Sequence, residues 1–140
     1  MAKGWDNDPS LFAGLVEQEI GKKLRITSLA LLTEIVYRSP VGSPDLWMNP
    51  APKGYTGGSF RASHVVSIGS PDYSEPTEPD KVGTRTIKQG EAVIAQGKPF
   101  AVIYIQTNLP YSEKIENGHS KQAPAGVYAN AFHGVTQAYK

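Results

Sequence analysis

The longest regular pattern in the chain is a helical one near its start. Apolar side chains recur at intervals of three, four and seven residues between Pro9 and Arg38, which fits one face of a helix. They are Leu11, Phe12, Leu15, Val16, Ile20, Leu24, Leu31, Leu32, Ile35 and Val36. Asp8 suits the cap position and Pro9 the first turn, and Ser39-Pro40 ends the run. At roughly 1.5 Å per residue, the segment predicts a rod of about 43 Å, with a break near Gly21 as the alternative.

Two segments have the pattern of β-strands. Phe60 to Ile68 places an apolar or aromatic residue at every second position, so we expect one face on the core, with a helical turn at 58–62 as an alternative start. Phe100 to Ile105 is almost wholly apolar and rich in β-branched and aromatic residues, which predicts a strand buried on both faces. Pro110 then stops this strand, because proline cannot continue a central ladder.

Further helical patterns complete the fold prediction. Thr84 to Gln96 has helical spacing, Tyr111 to Glu116 suits a short turn, and Ala125 to Tyr139 suits a last amphipathic helix. The predicted buried side of that last helix is Val127, Ala131, Phe132, Val135 and Ala138. The order predicts an α+β fold, in which a long first helix and two further helices pack on a small, mainly antiparallel sheet. Residues 1–140 show no repeat and no internal boundary, so we expect one domain.

Irregular segments take up much of the rest, as 11 prolines and 14 glycines indicate. Residues 1–7 suggest a polar arm. The loop at 40–58 carries Trp47, Met48 and Tyr55, which must fold back onto the core or dock on another surface. The loop at 70–83 is acidic and should project from the body. Its carboxylates are Asp72, Glu75, Glu78 and Asp80.

Composition excludes several classes of function. A net charge of +1 and dispersed lysines and arginines give no basis for a nucleic-acid or membrane-surface binder. The chain has no cysteine, which excludes disulfides, thiolate metal sites and a cysteine nucleophile. No apolar run approaches the roughly 20 residues of a membrane span, and no leader pattern opens the chain. We therefore expect a cytosol-like compartment, or a particle assembled there.

No catalytic, cofactor or metal site is predicted. His64, His119 and His133 are scattered, and none has the spacing of a zinc site. Glu113 and Glu116 lie one helical turn apart, but no base or nucleophile accompanies them. An enzyme would need a pocket that brings His64 or His119 beside one of these glutamates. A monomeric binding module is a further alternative.

An ordered motif follows the second predicted strand. Asn-Leu-Pro-Tyr ends the strand, and a short acidic helix, a glycine and a Ser-Lys-Gln-Ala-Pro loop follow. The residues concerned are Asn108, Leu109, Pro110, Tyr111, Glu116, Gly118, Ser120, Lys121, Gln122, Ala123, Pro124 and Gly126. This order resembles the tail-completion (neck, or head–tail joining) proteins of long-tailed bacteriophages. Ser39-Pro40-Val41-Gly42 and Gly58 to Ser63 also resemble that family, although residues 43–57 are inserted between them and Ser59-Phe60 replaces the commoner arginine-leucine.

The resemblance implies a structural virion protein and no enzyme. Copies would form a ring, a hexamer, in the neck, and would contact head connector or adaptor proteins, the tail terminator and the tail tube. Genomic double-stranded DNA would cross the lumen, with no specific site, no membrane, no cofactor and no small-molecule substrate. The ring would be assembled in the host cytoplasm. A tail terminator, which caps the tail tube, is the alternative.

The loops and the motif supply the residues expected at contacts with other subunits or neck proteins. They are Trp47, Met48, Tyr55, Asp72, Glu75, Glu78, Asp80, Tyr111, Lys121 and Gln122. The acidic loop is further expected to line the lumen, where like charge would keep DNA from adhering.

Overall fold

The computed structural model describes residues 9–41, 57–110, 112–118, 123 and 125–139. Their elements run in the order α1 (Pro9–Arg38), α2 (Ser59–Ala62), β1 (His64–Ile68), α3 (Thr84–Ile94), β2 (Ile103–Thr107), α4 (Ser112–Glu116) and α5 (Tyr128–Ala138). The fold is α+β, with a long N-terminal helix and a small antiparallel sheet, as the sequence predicts.

The first helix is continuous over 30 residues, so the alternative of a break near Gly21 is wrong. Gly21 is buried, and a Cβ atom built there would lie 3.3 Å from Cγ of Pro99. Four residues on, Nη1 of Arg25 donates a hydrogen bond to the carbonyl oxygen of Gly97 at 2.9 Å. Glycine at this position lets the segment before β2 approach the helix closely.

The apolar residues of α1 do not share one face. Leu32 is fully buried, whereas Leu11 and Phe12 are 59% and 68% exposed. Successive residues turn about 100° around the helix, so Phe12 and Leu32 lie about 200° apart. Four-residue steps each advance about 40° beyond a full turn, and the apolar positions therefore wind from one side of the helix to the other.

The sheet contains two strands in the described residues. β1 pairs antiparallel with β2, with His64 opposite Thr107 and Ile68 opposite Ile103. β1 starts at His64 because residues 59–62 are helical, which confirms the alternative start predicted for that strand. The prediction that the strand after Phe100 is buried on both faces is wrong. All five residues of β2 are half-buried, and Phe100 and Val102 just before it are exposed.

Two apolar clusters meet on the C-terminal half of α1. The first contains Ile35, Phe60, Ile115, Ala123, Val127 and Ala131. The second contains Leu32, Val36, Val66 and Ile94. On α5 the predicted burial of Val127, Ala131 and Val135 is confirmed, but Phe132 is 61% exposed and Ala138 is also exposed. Burial on α5 thus follows one narrow stripe, and Phe132 lies one residue, about 100°, away from it.

Candidate functional site: a buried histidine, capping carboxylates and an exposed helix end

A chain of hydrogen bonds crosses the core and joins three elements. The hydroxyl of Ser39, just after α1, lies 2.7 Å from Nε2 of His64 on β1. Nδ1 of the same ring lies 2.8 Å from the hydroxyl of Tyr128 on α5. Ser39 and His64 are 1% and 4% exposed. The His64 ring also packs edge-on against Phe60, with ring centroids 5.1 Å apart.

The bonds of Ser39 determine the tautomer of His64. The serine hydroxyl donates to the carbonyl oxygen of Ile35 at 2.6 Å, which uses its one proton. Nε2–H of His64 therefore donates to Ser39, and in the neutral ring Nδ1 accepts from the hydroxyl of Tyr128. The neutral form is the one that burial favours. Burial, and then the charge of Arg61, lower the pKa of His64 from 6.5 to about 3.

This serine–histidine–tyrosine chain lacks the features of a nucleophilic site. The Ser39 proton is committed to a backbone carbonyl, and both Ser39 and His64 are shielded from solvent. A groove of about 310 Å³ nearby is lined by Ser112, Glu113, Glu116 and Tyr128 among others, but His64 does not line it. The arrangement can hold α1, β1 and α5 in register.

Arg61 fixes the end of α1 against the acidic segment. Its guanidinium donates to the carbonyl oxygen of Ser39 at 2.9 Å, to that of Tyr37 at 3.3 Å and to that of Lys81 at 2.8 Å. Arginine suits this task because its planar group presents several donors at fixed angles. This role of Arg61 is not visible in the local sequence, since these acceptors lie 20 to 24 residues away.

The predicted projection of segment 70–83 is wrong at its two ends, which are bound to the body. The backbone N–H of Asp72 donates to Oε1 of Gln106 at 3.1 Å. Nδ2 of Asn108 donates to the carbonyl oxygens of Asp72 and Ser74. At the other end, the Asp80 carboxylate accepts from N–H of Gly83 and from N–H and the hydroxyl of Thr86.

The four predicted contact carboxylates of this segment have different surroundings. Burial alone would raise the pKa of Asp80, but the bonds from Thr86 and Gly83, together with Arg85, lower it overall. Hydrogen bonds from Ser74 lower the pKa of Asp72. The other two, Glu75 and Glu78, are exposed, and Glu78 pairs with Arg85 at 3.2 Å.

The other six predicted contact residues lie outside the described residues. They are Trp47, Met48, Tyr55, Tyr111, Lys121 and Gln122.

Glu116, at the end of α4, caps α5, although it lies 11 to 13 residues before the N–H groups that it binds. Its carboxylate accepts hydrogen bonds from N–H of Val127 and Tyr128 at 2.8 Å each and from N–H of Ala129 at 2.9 Å. These groups lack partners inside their own helix, and the positive end of the helix dipole favours a negative charge there. Partial burial alone would raise the pKa of Glu116, but the three N–H donors outweigh it and lower that pKa.

Replacing Glu116 by glutamine should destabilise the protein by about 1–2 kcal/mol at pH 7, because the cap loses its charge and part of its acceptor capacity. Because the folded-state pKa is lowered, the contribution of Glu116 is complete above its unfolded pKa and disappears as pH falls through the folded pKa. Urea unfolding at pH 7 and at pH 3 measures both effects. Glu113→Gln, on the exposed side of the same short helix, is the matched control. Equal losses in the two variants would contradict the capping role.

The N-terminal end of α1 exposes several neighbouring apolar side chains. Residues 9–20 are exposed apart from Gly14 and Ile20, which are half-buried. Leu11, Phe12, Leu15 and Val16 are 41–68% exposed. Monomeric proteins rarely leave such a contiguous apolar patch uncovered, so this end of the helix is a candidate contact surface.

Other classes of site find little support in the described residues. They contain no group of three or more histidine, aspartate or glutamate residues that could hold a metal ion. Among the described helices, none combines the length and apolar character that a bilayer span requires. No protein-family model, curated protein or solved structure matches the chain.

Proposed function

We propose that this chain is a structural protein of the neck of a long-tailed bacteriophage, where copies form a ring that completes the tail and joins it to the head connector. The observation that carries the proposal is the ordered run of residues from Asn108 to Gly126 and its resemblance to tail-completion proteins. In this proposal the ring is a hexamer, assembled in the host cytoplasm, and genomic double-stranded DNA crosses its lumen without a specific contact.

Three residues of the motif make contacts that hold the fold of this chain together. Asn108 ties the acidic segment to the end of β2, and Glu116 ties α4 to α5. Gly126 adopts a φ of 90° against the backbone of Glu116. These residues of the motif therefore have structural tasks in this chain.

The exposed surfaces support a protein that works in an assembly. The end of α1 offers uncharged apolar side chains to a neighbour, and the chain as a whole has a net charge of +1. Partners in this proposal are further copies of the chain, the head connector and adaptor proteins, the tail terminator and the tail tube. The acidic segment at 70–83 faces the lumen, with Glu75 and Glu78 as its exposed carboxylates.

Electron microscopy of lysates from the phage that encodes the chain, with this gene deleted, tests the proposal. We expect filled heads beside separate tails of normal length, and intact virions again when the gene is supplied in trans. Tails of uncontrolled length would assign the protein to the terminator position. Normal particles without the gene would contradict a structural role, and an enzyme or a binding module would then have to be sought. In the wild-type neck, a map that places segment 70–83 on the outer rim would contradict its lumenal position.

A further inference from the structure

The exposed end of α1 points away from the rest of the protein. At about 100° per residue, Leu11, Phe12, Leu15 and Val16 span about 140° of the helix surface. The centre of that arc lies about 150° from Gly21, which packs against the body. The four side chains consequently form a ridge on three free turns at the start of the helix. We call residues 9–16 the α1 tip.

A groove on the body offers an apolar surface of matching character. It lies between α1, β2 and α5 and has a volume of about 520 Å³. Its lining residues are Ser28, Leu31, Ile35, Ile103, Tyr104, Ile105, Tyr128, Ala129 and Phe132. Three consecutive residues of β2 line it, and consecutive residues point to opposite faces, so the groove meets this strand at the edge that has no partner strand among the described residues. We call this feature the β2 groove.

The α1 tip and the β2 groove are electrostatically compatible. The tip, Pro-Ser-Leu-Phe-Ala-Gly-Leu-Val, contains no charged residue, and neither do the nine lining residues of the groove. Packing one on the other would bury no lone charge, and burial of an unpaired charge is the main penalty in such contacts. The second groove beside α5 differs, because Glu34 and Arg38 line it.

The tip cannot reach the groove of its own chain. Phe12 and Ser28 lie on the same uninterrupted helix and are 16 residues apart, which corresponds to about 24 Å along the helix axis. A phenylalanine side chain spans only a fraction of that distance. Any contact between the α1 tip and the β2 groove must therefore join two copies of the chain.

We propose that the α1 tip of one copy seats in the β2 groove of the next copy. The two surfaces differ, so the contact is heterologous and generates a ring when the rotation between copies closes. That the contact closes into a ring rests on the proposed function. The tip is small beside the roughly 800 Å² per partner of a standard interface. In a ring, each copy would insert its own tip into one neighbour and bind the tip of the other neighbour. Closure of the ring would make the assembly more stable than a single contact of this size.

Cysteine cross-linking in purified virions tests the proposal, because the chain has no native cysteine. Val16→Cys places a thiol on the tip and Ala129→Cys places one in the groove. With a short bismaleimide, this pair should give a ladder of linked copies. The matched control pairs Val16→Cys with Ala138→Cys, which is exposed on the opposite side of α5, about 180° from Ala129. We expect at least a tenfold lower yield from the control pair.

A second variant makes the exposed ridge of the α1 tip charged and should leave the fold unchanged. Leu15→Asp adds a charge to the exposed ridge and should abolish the ladder, whereas Ala13→Asp, on the other side of the helix, should leave it. Unfolding curves should match the wild type for both. Equal yields from both cysteine pairs, or an undiminished ladder with Leu15→Asp, would overturn the contact and leave the neck assignment intact. Absence of the protein from virions would overturn the proposed function, and the ring contact with it.

Discussion

The free energy of unfolding should fall as the pH is lowered from 6.5 towards 3, and His64 should be the main cause. The folded protein holds His64 neutral because its pKa is lowered to about 3 by burial and by Arg61. The unfolded chain binds a proton at the ordinary pKa of 6.5. Between these values the unfolded state binds more protons, so stability rises with pH, by up to about 1.4 kcal/mol per pH unit.

Urea unfolding of the wild type and of His64→Gln between pH 4 and pH 8 measures this effect. Glutamine does not titrate, so the variant should lose less stability than the wild type for each pH unit between 6 and 4. At pH 7 the variant should be about 1–3 kcal/mol less stable, because Ser39 or Tyr128 loses a buried hydrogen-bond partner. His133→Gln, exposed on α5, should keep the wild-type slope. A parallel pH dependence in His64→Gln and the wild type would show that His64 is not held neutral.

The pH at which each loss of stability begins distinguishes His64 from the carboxylates. Asp80 and Glu116 have lowered pKa values in the folded protein. They stabilise it above the ordinary carboxyl pKa, near 4, and lose that contribution only in stronger acid. A decline that starts near pH 6 therefore reports His64, and below about pH 4 the capping carboxylates add to the loss from His64.

Local patterns of the sequence were sufficient to predict most elements. The helix from Pro9 to Arg38 has its stop signal in the next two residues, and α3 and α5 show their spacing within 11 residues each. Such signals depend on neighbours along the chain, which are visible without a structure. The direction of each apolar side chain was harder to predict, because a drift of about 40° per four residues accumulates over a long helix.

The tasks of the polar residues could not be predicted, because their partners are distant in sequence. His64 binds groups 25 and 64 residues away, and Glu116 caps a helix that begins 12 residues later. The usual signal for a capping residue is its position just before the helix. Glu116 has no such position, so its place in the sequence gives no sign that it caps a helix. Only the folded structure shows that Glu116 caps α5, because the two are separated in the sequence.

The second large effect is expected for Gly126→Ala, which should destabilise the protein by about 3 kcal/mol. Gly126 has a φ of 90°, a conformation that costs an alanine roughly 1–2 kcal/mol. A Cβ atom there would also lie 2.5 Å from the backbone oxygen of Glu116 and 3.2 Å from its carboxylate. A backbone oxygen cannot turn aside as a long side chain can, so α4 would have to move away from α5. That movement would weaken the three hydrogen bonds that Glu116 accepts from the start of α5.

Gly69→Ala separates the two contributions to this loss. Gly69 has a φ of 85°, close to that of Gly126, but no atom lies within 4 Å of a Cβ built there. This control should lose only the conformational part, roughly 1–2 kcal/mol. The excess in Gly126→Ala, measured by urea unfolding, is then the cost of separating α4 from α5. Combining Gly126→Ala with Glu116→Gln should give less than the sum of the single losses, because both disrupt the same cap. Strict additivity would mean that the glycine acts through its backbone conformation alone, and that its place in the motif does not depend on Glu116.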